Sequence, residues 1–305
     1  MKNVLILGAS GMLGSMLLDL LSRANDLAVT ASVRDASLGE RLAQLFPTVR
    51  WVRFRYERGD SAQLEIFREQ DWIINAIGIT KPLVRDDNAD QIENAIAVNS
   101  QLPHEIGRHA LDTGAQVLQI ATDCVFSGTK GAYTESDAHD ALDVYGKTKS
   151  LGECYHENVH HLRCSIIGPE PKDYKFLIEW FCRQPRDAQI NGFTNHRWNG
   201  VTTLHFARLC QGIIRRNLTI PHLQHLVPTG ILTKAQMLHE FAVAYNRQDV
   251  RIIEVAAKSV VDRTLGTNNP NMNAILWEAA GYQVAPTIQE MIQEAARYAY
   301  EAATA

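Results

Sequence analysis

The chain is poor in cysteine, and the few it has follow no pattern. Cys124, Cys154, Cys164, Cys182 and Cys210 are odd in number and contain no Cys-x-x-Cys pair, which argues against a disulfide framework or a structural zinc site. A reducing compartment, the cytoplasm, is the expected setting. There is no run of about 18 apolar residues, so no membrane span is expected. Met1-Lys2-Asn3-Val4 passes straight into an apolar strand, without the h-region and small-residue cleavage site of a secretory signal. A marked excess of charge of one sign is also missing. Lys plus Arg is 30 against 34 for Asp plus Glu, a formal net charge of −4, which speaks against a nucleic-acid partner. No internal repeat or low-complexity tract is present. The histidine groups His160-His161 and His222-x-x-His225 have no carboxylate cluster beside them, so no metal site is expected.

With 46% apolar and 21% charged residues the composition is that of an ordinary globular chain, and 305 residues is roughly two domains' worth. Short apolar runs at Val4–Leu7, Leu27–Val33, Val49–Phe54, Trp72–Asn75, Val117–Ala121 and His161–Cys164 read as strands. Helical spacing separates them. In Met12–Ser22, for example, Leu13, Met16, Leu17, Leu20 and Leu21 share one stripe. This alternation predicts an α/β fold, a doubly wound parallel sheet of Rossmann type. After Gly168-Pro169 the pattern becomes less regular. Residues 1–168 with about 200–221 are expected to form a dinucleotide-binding domain. A smaller, mixed α/β substrate-binding part is expected from about 169–199 with 222–305.

Gly8-Ala9-Ser10-Gly11-Met12-Leu13-Gly14 follows the first strand and opens the first helix. Gly8 suits the tight turn, Gly11 a close backbone approach to a pyrophosphate, and Gly14 the packing of helix on strand. The helix N-terminus supplies free N–H groups and a positive dipole end. Gly8, Ser10, Gly11, Met12, Leu13 and Gly14 are therefore expected to hold a dinucleotide. No Gly-Lys-Ser/Thr follows, which disfavours a nucleoside-triphosphatase loop. An acidic residue at the end of the second strand would bind a ribose 2′-hydroxyl. The chain carries Arg34 there, suited to a 2′-phosphate, so NADP(H) is favoured over NAD(H).

Tyr145 and Lys149 stand at i and i+4, on one helical face. A lysine cation nearby is expected to lower the tyrosine pKa, making Tyr145 a general acid/base. Thr122 ends a strand at the ligand-binding edge of such a sheet, where its hydroxyl could bond a reacting oxygen. Asn75-Ala76-Ile77-Gly78 ends the preceding strand with small residues, leaving room for a cofactor, and Asn99 lies on the helix that follows. Asn195-His196-Arg197-Trp198 offers a cation, polar groups and an aromatic ring in one expected loop, suited to a nucleotide diphosphate and base. Cys124 adjoins Thr122, but a free cysteine is read first as a small buried hydrophobe.

Taken together, Gly8–Gly14, Asn75–Gly78, Asn99, Thr122-Asp123 and Tyr145 with Lys149 make the chain resemble an extended short-chain dehydrogenase/reductase. The stretches Thr122–Gly128, Val144–Glu153, Leu162–Ser165 and Trp198–Thr203 make it similar, within that superfamily, to the dTDP-4-dehydrorhamnose reductase group. The resemblance covers residues 1–168 with high specificity and the remainder weakly. It implies an NADPH-dependent oxidoreductase acting on a keto group of a nucleotide-linked sugar. Thr122, Tyr145 and Lys149 would be catalytic, and Ala76, Gly78 and Asn99 would join Arg34 at the cofactor. Thr122, Asp123, Asn195, Arg197 and Trp198 would face the substrate. A homodimer is left open. Departures fall on the sugar side. Ile166 stands where the group has a tryptophan, Lys81–Val84 replaces a Val-Asp segment, and Arg55-Tyr56 replaces an acidic residue near the adenine. Cys124 stands where the related dehydratases carry a glutamate, which disfavours dehydration. An epimerase and a non-catalytic NADP-binding regulatory subunit remain as alternatives.

Overall fold

The structure, a computed structural model, describes residues 1–57 and 65–300. The first half alternates strands and helices. It runs β1 (Lys2–Leu7), α1 (Met12–Ser22), β2 (Leu27–Val33), α2 (Ala36–Leu45), β3 (Arg50–Arg53) and β4 (Trp72–Asn75). Then come α3 (Ala89–Ala95), a π-helical turn (Ile96–Gln101), α4 (Leu102–Thr113), β5 (Gln116–Thr122), α5 (Val144–Leu151) and β6 (Val159–Cys164). The second half is less regular, with β7 (Ile166–Ile167), α6 (Leu177–Cys182), β8 (Gln189–Phe193), β9 (His196–Trp198), β10 (Val201–Thr202), α7 (Thr203–Arg216) and β11 (Leu223–His225). It closes with β12 (Leu232–Thr233), α8 (Lys234–Ala244), β13 (Arg251–Val255), β14 (Val261–Asp262), α9 (Pro270–Ala279) and α10 (Ile288–Arg297).

Seven strands form one sheet in the order β11-β6-β5-β4-β1-β2-β3, every pair parallel. Successive side chains of β1 face opposite ways, as strand geometry requires. Val4 and Ile6 join the core beneath α1 and α7, whereas Leu5 and Leu7 join Leu102, Ile106 and Val117 on the other face. Burial on both faces explains the uninterrupted apolar runs. The strand order turns between β1 and β4, so loops at their C-terminal ends diverge and leave the crevice where ligands bind in such sheets.

Two sequence expectations need correction. Leu223–His225 pairs with β6 and completes the main sheet, although the boundary drawn near 221 put it in the smaller part. The stretch 195–198 is not a loop: β9 is the centre of a three-stranded sheet between β12 and β14. Among the described residues no helix is long and apolar enough to cross a membrane, and no group of three His, Cys, Asp or Glu side chains could hold a metal ion.

Candidate active site

The phosphate loop is shaped by its glycines in three different ways. Gly8 has φ +79°, the left-handed turn that glycine adopts without strain. Its N–H donates to Ser32 Oγ at 3.0 Å, fixing the loop against β2. A Cβ on Gly14 would lie 2.0 Å from the Gly8 carbonyl oxygen, so packing of helix on loop excludes any side chain there. A Cβ on Gly11 would meet only that oxygen, at 3.5 Å. Protein packing therefore does not demand glycine at 11, and the open side is the one a phosphate would approach. Gly11 is the N-cap of α1, and among the described residues no side chain caps it and no acid occupies the first turn. Free N–H groups at a positive dipole end fit a pyrophosphate. Ser10 is half-buried. Met12 and Leu13 open the helix, and Leu13, buried in the core, can offer a ligand only its backbone.

Arg34 is exposed just beyond β2, and no described residue pairs with it. Asp35 behind it is committed elsewhere: its carboxylate accepts the Ser37 N–H at 2.9 Å as the N-cap of α2. At the end of β4, Asn75 ties to Gln119 at 2.8 Å and accepts the Ile77 N–H, directing the turn through half-buried Ala76 to exposed Gly78. Asn99, in the π-helical turn, accepts the Ile79 N–H at 2.8 Å and donates to the Ile79 carbonyl and to Thr148 Oγ1. Its amide thus locks the β4 loop to α5, the helix that carries Tyr145 and Lys149.

Asp143 caps α5 by accepting the Gly146 N–H at 2.9 Å and pairs with Lys81 at 2.8 Å. One turn on, Lys149 is buried, and its Nζ donates to the Ile120 carbonyl at 3.0 Å. Burial lowers this ammonium to about 8, with Glu153 opposing. Burial pushes the Tyr145 phenol well above its ordinary value; Cys124, Asp123 and Asp143 add to the shift, and the neighbouring Thr122 hydroxyl opposes it. The expected depression of Tyr145 by Lys149 is therefore corrected: Tyr145 stays a neutral phenol. Thr122, at the end of β5, accepts the Cys124 N–H and donates to Asp123 Oδ1 at 3.3 Å. The Cys124 thiol is pushed up to about 12 by burial and by Asp123. The thiol therefore keeps its proton at neutral pH.

A family model described as the RmlD substrate binding domain matches residues 1–300. The chain belongs to the RmlD substrate-binding-domain family. It is 39% identical over 182 residues to dTDP-4-dehydrorhamnose reductase of Salmonella typhimurium, covering 59% of this chain and 52% of that one. It is 28% identical over 152 residues to methionine adenosyltransferase 2 subunit beta of Rattus norvegicus, covering 50% and 42%. The chain thus spans about half the length of these relatives. The dTDP-4-dehydrorhamnose reductase of Bacillus anthracis, solved in complex with NADP, superposes with a TM-score of 0.71 at 16% identity over 96% of this chain and 98% of that one.

Two cations that no motif marks also lie close to the Thr122 turn. Burial raises the Asp123 carboxyl, while Arg263 and Lys234 lower it. Lys234, the first residue of α8, lies 5.8 Å from the centroid of the Trp198 ring. Arg263 donates to the carbonyls of Phe126 and Ser127, just beyond the Thr122 turn. Both cations come from more than a hundred residues further along the chain than Thr122, with no motif around them. Only the fold shows them. The three residues singled out at 195–198 separate. Trp198 is buried, donating its indole N–H to Ser165 Oγ at 2.8 Å. Asn195 has both amide atoms bound to the Ala257 backbone, each at 2.8 Å, so it holds the strand instead of presenting its amide to a ligand. Arg197 is exposed and pairs with Asp262 at 3.3 Å.

Proposed function

We infer that the chain is an NADPH-dependent reductase of a keto group on a nucleotide-linked sugar, of the dTDP-4-dehydrorhamnose reductase kind. The observation that carries this reading is the triad itself. A neutral Tyr145 phenol stands beside the Thr122 hydroxyl, and Lys149 is one turn behind on the same helix. All three sit at the sheet edge that also holds the phosphate loop. When bound, the reduced nicotinamide supplies the hydride. Thr122 orients the keto oxygen by turning its hydroxyl hydrogen from Asp123 to that oxygen. Tyr145 gives up its Oη proton to that oxygen as it becomes an alkoxide, and the Lys149 charge offsets the phenolate left behind. Arg34, exposed and unpaired among the described residues while Asp35 caps α2, supports NADPH over NADH. Arg197, exposed near Trp198, is proposed to meet the diphosphate of the substrate.

Two departures from the rhamnose reductase pattern support a sugar pocket that differs from theirs. Lys81 binds the cap of the catalytic helix, and Ile166 lies in β7, paired with Val201. We therefore propose a related 4-dehydro sugar without naming it. NADPH oxidation across a panel of 4-keto nucleotide sugars tests the reading, with NADH in parallel. Turnover of none of them, with NADPH bound, would favour the second reading. That is a non-catalytic, NADP-binding role as a partner subunit, a reading supported by the likeness to methionine adenosyltransferase 2 subunit beta.

A further inference from the structure

The segment after β7 doubles back toward the first helix. Gly168 allows it to start, since a Cβ there would lie 2.1 Å from Thr203 Oγ1. Glu170, only 5% exposed, accepts the Phe176 N–H at 2.5 Å and closes the neck of the segment. At its tip Asp173 and Tyr174 have φ of +67° and +50°, a region that residues other than glycine seldom adopt. The Tyr174 N–H returns to the Lys172 carbonyl at 2.8 Å, and the Arg183 guanidinium stacks 3.4 Å from the centroid of the Tyr174 ring. This strap, held at neck and tip, extends one cation outward: Lys172 Nζ lies 3.4 Å from Ser10 Oγ in the phosphate loop.

We propose that Lys172 clamps the pyrophosphate of the dinucleotide against the start of α1. Ser10 immediately precedes Gly11, the uncapped N-cap whose N–H groups face an anion. A phosphate there is bonded by backbone N–H groups on the helix side and by a lysine from the strap on the other. The Ser10 hydroxyl is a neutral partner at a long distance, and a phosphate oxygen is the stronger acceptor for an ammonium. Lysine suits the role as a point charge with three rotatable donors. Arg34 lies beyond β2, on the ribose side, so the two cations serve different phosphates. The clamp rests on the reading of the chain as an NADP(H) enzyme.

Direct titration of NADPH, NADH and 2′-AMP against the parent chain, K172A and K172R tests it. Lys172 is exposed, so the thermal midpoint of K172A should match the parent. K172A should weaken NADPH and NADH alike by about tenfold, equivalent to ~1.4 kcal/mol. The affinity for 2′-AMP, which lacks the pyrophosphate, should not change. K172R should recover most of the loss, and the salt dependence of NADPH binding should become shallower in K172A. Unchanged dinucleotide affinity in K172A overturns the clamp, as does a loss confined to NADPH, which would place Lys172 at the 2′-phosphate. A parent chain that binds neither dinucleotide overturns the clamp and the reductase reading together. Tight parent binding with an indifferent K172A overturns the clamp alone.

Discussion

A tyrosine that is to donate a proton must still hold it at neutral pH, and burial secures this for Tyr145. Its role separates cleanly from packing in Tyr145→Phe, which keeps the ring and removes the proton. General acid catalysis contributes roughly 10²–10⁴-fold, so turnover on a validated substrate should fall by that much while NADPH affinity stays within about twofold of the parent. Full activity in this variant would assign the proton to another group. Lys149 yields a second expectation. Its ammonium is lowered to about 8, so it is charged below that pH and neutral above. In the proposed reaction that charge offsets the phenolate left when Tyr145 gives up its proton, so kcat/KM for reduction should be level through neutrality and fall as pH rises through about 8. A rate that climbs between pH 7 and 9 would contradict the assignment. The glycines of residues 8–14 and the Tyr145–Lys149 pair have local spacing, which is why these parts of the proposed site could be picked out in the sequence. The balance of charge around them could not. Which neighbour dominates Tyr145 depends on where Asp123, Cys124 and Asp143 fall in space, and Lys234 and Arg263 reach the site only through the fold.

At the scale of elements, the long buried strands and amphipathic helices were readable and the short pieces were not. Leu27–Val33, Trp72–Asn75 and Met12–Ser22 have the bounds their apolar patterns indicate. β9 and β11 are three residues each, too short for alternation to register. They owe their conformation to pairing with β12 and β14 in one case and with β6 in the other. The phosphate loop illustrates how one motif carries two physical demands. Gly14→Ala forces a Cβ to 2.0 Å from the Gly8 carbonyl and should destabilise the fold by about 1–3 kcal/mol, the usual cost of overpacking. Gly11→Ala meets nothing closer than 3.5 Å and should leave stability within about 0.5 kcal/mol while weakening NADPH binding. Urea unfolding alongside cofactor titration distinguishes the two. Equal loss of stability in both variants would mean that Gly11, too, is a packing residue.

For the molecule as a whole, the edge of the sheet that carries the proposed site is tied together by a fully buried charge. Arg163 on β6 is completely inaccessible. It donates to both Glu153 oxygens at 2.6 and 2.5 Å, to His139 at 2.8 Å and to His225 at 2.9 Å. Its guanidinium also lies 5.2 Å from the Phe126 ring centroid. Burial lowers His139 and His225, so both stay neutral and accept from the arginine. The knot joins the end of α5, the chain beyond the Thr122 turn, β6 and β11, whose His225 also contacts the Gly266 carbonyl at 2.8 Å. These are the segments that frame Thr122, Tyr145 and Lys149. A buried pair need not add net stability relative to apolar residues, yet removing one partner leaves the other charge stranded. Arg163→Met should therefore cost about 3–5 kcal/mol, because Glu153 loses its counter-charge inside the protein. Glu153→Leu should cost a similar amount by stranding the arginine. The double variant, with neither charge, should be clearly more stable than the sum of the singles implies, a coupling of about 0.5–3 kcal/mol in a double-mutant cycle. Urea denaturation of the four chains measures it. Strict additivity would show that Arg163 and Glu153 act independently, and that the frame of the active site is held by apolar packing around them.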